Sequence, residues 1–229
     1  MNKTYKPLSP AYYLSALTLL IVAGPFTEPH SCAQLFEAMA LTVVLLFAVL
    51  TTGASRKTMF FIAIPAALTL VNRWLYYSNP DFMISIFYLV PGIFTAGITA
   101  FCLLRYLFLT SRVDFKILCA GIATYLTLAL LWSLAYNLTE KIAPGSFFFM
   151  GKPMSESLQS MSGFTALYFS FATLCTVGYG AIVPVSGAAR LLAVLEAVVG
   201  IFYVAIVIAR LVALYSNQLD KESKEKSYE

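Results

Sequence analysis

This sequence predicts an all-α integral membrane fold, with six spanning helices and one shorter, re-entrant helix that leads into a loop. Three observations carry that expectation. Of the 229 residues, 60% are hydrophobic and only 11% charged, whereas a soluble domain carries about 25% charged residues. Several apolar stretches reach about 20 residues, the length needed to cross a bilayer as a helix. The Lys and Arg residues fall on one side of the resulting topology, as spanning proteins require.

The elements follow in order. The first span covers about 9–26 and the second about 32–52. The N-terminal text MNKTYKPLSPAYYLSALTLLIVAG has basic residues ahead of an apolar core, but no clear small-x-small cleavage site before Pro25. It is therefore read as a retained span and not as a signal peptide. The third span covers about 58–77, with Pro65 as a kink candidate, and the fourth about 82–109, with Pro91 and Gly92 as a second. TSRVDFK, Thr110–Lys116, is a short charged linker. The fifth span covers about 115–138. NLTEKIAPGSFFFMGKPMSES follows and reads as a loop, because two prolines and two glycines punctuate it. An apolar segment from Leu158 to Leu174 comes next, with Ser155 or Ser157 as candidate caps. The last span covers about 187–215, and residues 217–229 form a charged tail.

Six spans put both termini on one side. That side holds Lys3, Lys6, Arg56, Lys57, Arg105, Arg112, Lys116, Arg210, Lys221, Lys224 and Lys226, leaving Arg73, Lys141, Lys152 and Arg190 opposite. The bias places both termini in the cytoplasm of a plasma-membrane protein. If Leu158–Leu174 spanned, the last helix and the basic tail would be inverted, so the segment is expected to enter and leave from the outer face. The expected division is 1–109 as a four-helix peripheral domain, 110–216 as a helix–loop–helix unit, and 217–229 as a cytoplasmic tail.

Composition also excludes some classes. A net charge of +4, scattered at span ends, gives no nucleic-acid surface. Cys32, Cys102, Cys119 and Cys175 lack any metal-ligand spacing and read as small apolar side chains, not as a disulfide framework. His30 stands alone in an outer loop. Ser162, in MSGF, lacks a histidine within a span to act as base, which disfavours an intramembrane serine protease.

The chemistry-bearing text is CTVGYGAIVP, Cys175–Pro184. Non-helical backbone at membrane depth is tolerated only where protein or water surrounds it. Gly178 and Gly180 reach positive φ at little steric cost. Alternated with L-residues, they let successive carbonyls point the same way. Thr176, Val177, Gly178 and Tyr179 would then present oxygens to a dehydrated cation, with the Thr176 hydroxyl adding one more. Val177 and Tyr179 would turn their side chains away from the axis and pack as a cuff.

On Thr176-Val177-Gly178-Tyr179-Gly180, the sequence resembles the potassium channel family. The resemblance runs from about Asp114 to Tyr215. It takes in LYFSFATLC before the loop, IVP after it, Arg190 and Glu196 in the last helix, and Gly200 within it. It implies K⁺ bound at Thr176, Val177, Gly178 and Tyr179. It also implies that Leu158–Leu174 is a pore helix, whose C-terminal dipole favours a cation. One chain carries one such loop, so the resemblance implies a homotetramer set in membrane lipid, passing K⁺ ions and needing no organic cofactor. The short tail is expected to leave no room for a cytoplasmic ligand-binding domain.

Other positions have two readings each. Gly200 stands where the family often has a gating hinge, or it is a small residue for close helix packing. Val204, Ile208 and Val212 are spaced four apart, so one such row could form an apolar constriction. Glu196 is an intramembrane acid and so a functional candidate; the alternative is a structural hydrogen bond to the back of the filter or pore helix. Arg190 reads as an interfacial anchor. Ala181 replaces the family's usual Asp and Cys175 a common Thr. The restraint that pore-helix aromatics Tyr168 and Phe169 would exert on that Asp is therefore expected to be missing. A weakly selective cation channel is the rival within the class. A carrier-type transporter would normally need several such loops in one chain. The fourth span has one basic residue, Arg105. At about 2.3 kcal/mol per charge per 100 mV, one charge cannot give steep voltage dependence.

Overall fold

The structure is a computed structural model that describes residues 8–27, 31–52, 56–78, 82–110, 113–150, 161 and 163–227. Ser155, Ser157, Ser162 and His30 lie outside the described residues. Helix α1 spans Pro10–Ala23 and passes into a 3₁₀ turn at Gly24–Thr27. Helix α2 spans Ser31–Thr52, α3 Arg56–Ser78, α4 Phe82–Leu109 and α5 Phe115–Ile142. Strand β1 is Phe147–Phe149, α6 is Gly163–Leu174, β2 is Ile182–Pro184 and α7 is Gly187–Ser227.

Several boundaries differ from the sequence reading for local reasons. Helix α1 stops at Ala23, short of 26, because Pro25 has no N–H to continue the ladder and the chain tightens into the 3₁₀ turn. Helix α5 runs on to Ile142, past 138; Ala143, ahead of Pro144, then leaves helical geometry. Helix α7 continues to Ser227, so much of the expected tail is helical. Its Lys and Glu residues are good helix formers. The helical fold carries one addition, a short strand pair. Phe147–Phe149 pairs antiparallel with Ile182–Pro184, in the register Phe147 with Pro184, Phe148 with Val183 and Phe149 with Ile182. Three consecutive β-favouring aromatics, read as loop, make a strand once a partner edge is present.

Among the described residues, Ser85–Leu109, Phe115–Ile142 and Gly187–Gln218 are long and apolar enough to cross a membrane. The shorter apolar helical stretches are Pro10–Ala23, Met39–Thr51, Met59–Leu75 and Gly163–Leu174. At about 1.5 Å per residue, α1 falls short of a hydrocarbon layer of about 30 Å.

Both internal prolines are followed, one turn on, by a threonine that bonds back to them. Helices α3 and α4 run through Pro65 and Pro91. Thr69 donates its hydroxyl to the Pro65 carbonyl and Thr95 to the Pro91 carbonyl, each at 2.8 Å.

The packing around α5 decides the architecture. Neighbouring pairs are α1 with α2, α2 with α3, α3 with α4, α4 with α5, and α5 with α1, which closes a ring. Tyr13, Leu17, Val44, Leu103, Ala120 and Ala123 share one buried cluster in it, and Tyr13 shares a 3.0 Å hydrogen bond with Thr127. Asp114 caps α5 by accepting from the Ile117 N–H at 3.0 Å. Helix α5 is the fifth member of this ring. Helix α5 also packs on α6 and α7. The end of α5 that carries Asp114 is tied across as well. Arg210 of α7 donates to the carbonyls of Phe108 (3.1 Å) and Thr110 (3.4 Å), and the Val113 N–H donates to Gln218. A guanidinium at the C-terminus of α4 suits the partial negative charge there.

Candidate pore loop

Helix α6 ends at Leu174, and its last turn holds the loop. The N–H groups of Cys175 and Thr176 donate to the carbonyls of Phe171 (3.0 Å) and Thr173 (2.9 Å). Those of Val177 and Gly178 both donate to the Ala172 carbonyl, at 2.9 and 3.0 Å. The free carbonyls that every helix end leaves over are thus taken up by the loop's own donors. Among the described residues, no backbone N–H bonds the carbonyls of Thr176, Val177, Gly178 or Tyr179.

Backbone handedness alternates along the same stretch. Thr176 has φ 57°, Gly178 φ 60° and Gly180 φ 79°, while Val177 and Tyr179 keep negative φ. A left-handed residue at every second position turns successive carbonyls toward one side, which a strand cannot do. Reading the sequence assigned positive φ only to the glycines. Thr176 is the residue it missed, and the same period-two pattern, carried one step back, points to it. An L-residue held there costs about 1–2 kcal/mol.

The outer end is held by backbone. Ala181 is exposed and its carbonyl accepts from the Met150 N–H at 2.9 Å. The Ser146 carbonyl takes the Val185 N–H at 2.8 Å, extending the β1–β2 pairing. Arg190, at the start of α7, donates to the Pro184 carbonyl at 3.2 Å. The two pore-helix aromatics part ways. Tyr168 lies parallel to Tyr179, with ring centroids 6.1 Å apart and planes 9° apart. Phe169 is buried in an edge-to-face triangle with Tyr136 (4.9 Å) and Phe147 (5.5 Å), committed to joining α5, β1 and α6. Within one chain, Tyr179 remains 72% exposed and Val177 50%. Among the described residues, Tyr168 is the ring that stacks on Tyr179.

Behind the loop, Cys175 Sγ lies 3.4 Å from the Tyr125 hydroxyl, which also donates to the Leu174 carbonyl at 3.3 Å. Gly200 is buried under the same carbonyl: a Cβ there would overlap the Leu174 oxygen and lie 3.1 Å from its carbonyl carbon. Helix α7 runs unbroken through Gly200. Glu196, one turn earlier, is fully buried. Its Oε2 takes the Tyr136 hydroxyl of α5, and its Oε1 lies 2.5 Å from Ser170 Oγ of α6. Ser170 Oγ also donates to the Ala129 carbonyl of α5 at 2.8 Å. Tyr136→Phe leaves one carboxyl oxygen without its donor, which costs about 1–3 kcal/mol per chain. A lower thermal unfolding midpoint in detergent, with helical content unchanged, is the expected result.

Helices long and apolar enough to cross a membrane thus flank a non-helical loop of alternating handedness, an arrangement suited to an ion channel. Residues 120–217, from α5 through the loop into α7, match the family model described as Ion channel. That stretch is less than half of the chain. No curated protein and no solved structure matches the chain.

Proposed function

We propose that the chain is one subunit of a homotetrameric, K⁺-selective channel in the plasma membrane, with both termini cytoplasmic. The observation that carries this reading is the alternating handedness at Thr176, Gly178 and Gly180, with the loop's N–H groups committed to α6. Carbonyls freed in this way can replace the hydration shell of a dehydrated K⁺ at Thr176, Val177, Gly178 and Tyr179. One chain supplies one side of such a site, and a closed ring of identical copies supplies the rest. The coverage of α7 supports the same assembly. Only 17% of its apolar window is buried, against 44% in α4 and 50% in α5.

Flux into vesicles reconstituted with the full chain tests the proposal. Rapid, ATP-independent Tl⁺ uptake that Ba²⁺ blocks and Na⁺ cannot replace is the expected result. Equal Na⁺ and K⁺ flux would favour the weakly selective reading, for which the missing acid at Ala181 is the specific observation. Over a voltage ramp, conductance is expected to stay nearly flat, because Arg105 is the single basic residue of α4. A steep rise would contradict that. Ala181→Asp puts an acid at this position without altering the Met150 clamp, which is made by backbone. It is expected to change the decay of current and leave the preference for K⁺ over Na⁺ within about twofold, since the ion sites are backbone. A large selectivity change would mean that position 181 shapes the sites themselves.

A further inference from the structure

Glu196 is an acid inside a span, enclosed by hydroxyls from two other helices. Three oxygen–oxygen contacts meet there: Tyr136 with Oε2, Ser170 with Oε1, and Ser170 with the Ala129 carbonyl. Each needs one proton. Tyr136 brings one and Ser170 brings one. A carbonyl has none to give, so the Ser170 proton goes to Ala129. The Ser170–Glu196 contact then lacks a proton unless the carboxyl carries it. Among the described residues, no Lys, Arg or His bonds either carboxyl oxygen. Among the described residues, the other titratable groups nearby are the phenols of Tyr136 and Tyr125 on α5 and of Tyr203 on α7, whose ring lies 5.4 Å from that of Tyr125, and the Cys175 thiol, 3.4 Å from the Tyr125 hydroxyl. Arg190, on the same helix as Glu196, is committed to the Pro184 carbonyl. An unpaired carboxylate in this place would be costly.

We propose that Glu196 is held as a neutral carboxylic acid that donates its own proton to Ser170 while accepting from Tyr136, and that this uncharged lock positions the pore helix against α5. All three contacts are then satisfied at once, and α5, α6 and α7 are joined at one point. Glutamine keeps the arrangement: its amide donates to Ser170 and its carbonyl accepts from Tyr136. Alanine has neither atom.

Difference infrared spectroscopy on the full chain in vesicles at neutral pH tests the protonation state, whichever ion the pore conducts. Wild type minus Glu196→Gln is expected to show the C=O stretch of a hydrogen-bonded carboxylic acid. Loss of carboxylate stretches in its place would overturn the proposal. Ser170→Ala removes the acceptor and is expected to shift that C=O band; an unmoved band would also overturn it, and this arm does not depend on how the Gln variant folds. Conduction tests the lock. Glu196→Gln is expected to conduct within about twofold of wild type, and Glu196→Ala at least about tenfold less. A Gln variant that assembles normally but does not conduct would show that the neutral group is insufficient.

Discussion

Gly178→Ala is expected to abolish K⁺-selective conduction while leaving the chain folded. A Cβ at this position meets nothing within 4 Å of the same chain, so crowding inside the subunit contributes nothing. The effect comes from φ 60°, which costs an L-residue about 1–2 kcal/mol. Thr176 already carries one such cost at φ 57° in the same loop. In the proposed ring of four, the added strain sums to about 4–8 kcal/mol, enough to favour a flipped peptide that turns carbonyls off the proposed axis. The check is Tl⁺ against Na⁺ flux in vesicles, with a loss of at least about tenfold in preference expected, since 1.4 kcal/mol is already a factor of ten. Wild-type selectivity in the variant would refute the assignment of Thr176–Gly180 as the filter.

Gly200→Ala is expected to be the most damaging single methyl group in α7. The atom it would overlap is a backbone oxygen, that of Leu174, so no side chain can rotate out of the way. Overpacking of this kind costs about 1–3 kcal/mol per chain. Relief requires moving either α7 or the end of α6, and the loop begins one residue after Leu174. Both assembly and ion preference are therefore expected to fall, read as tetramer yield by size-exclusion chromatography and as Tl⁺ over Na⁺ flux. A variant with normal preference but altered opening would instead assign Gly200 to a bending point. These outcomes separate the two readings that the sequence left open at this residue.

The helical elements were legible because their signals are local: apolar runs, Pro and Gly punctuation, and the one-sided Lys and Arg pattern. The positive φ of Gly178 and Gly180 was legible for the same reason, since glycine carries that freedom in its own structure. What escaped depended on partners distant in sequence. Phe147–Phe149 becomes a strand only because Ile182–Pro184 lies beside it, and no text within the loop announces that pairing. Thr176 is forced left-handed by donors committed to Phe171, Ala172 and Thr173, whereas threonine alone prefers an extended backbone. The packing of α5 against α1 was not readable either, because Tyr13 and Thr127 meet across 114 positions.

The double membership of α5 makes it a lever. A rod of 28 residues is about 42 Å long at about 1.5 Å per residue, so tilting it by one degree carries its far end through about 0.7 Å. Hydrogen bonds weaken markedly over smaller displacements than that. One end of this rod is joined to α4 and α7 around Arg210 and Gln218, and the ring of α1–α4 braces its flank. Toward the other end, Ala129 and Tyr136 grip the pore helix through Ser170 and Glu196. A change in the shape of the ring would therefore be carried to the loop along one rigid rod.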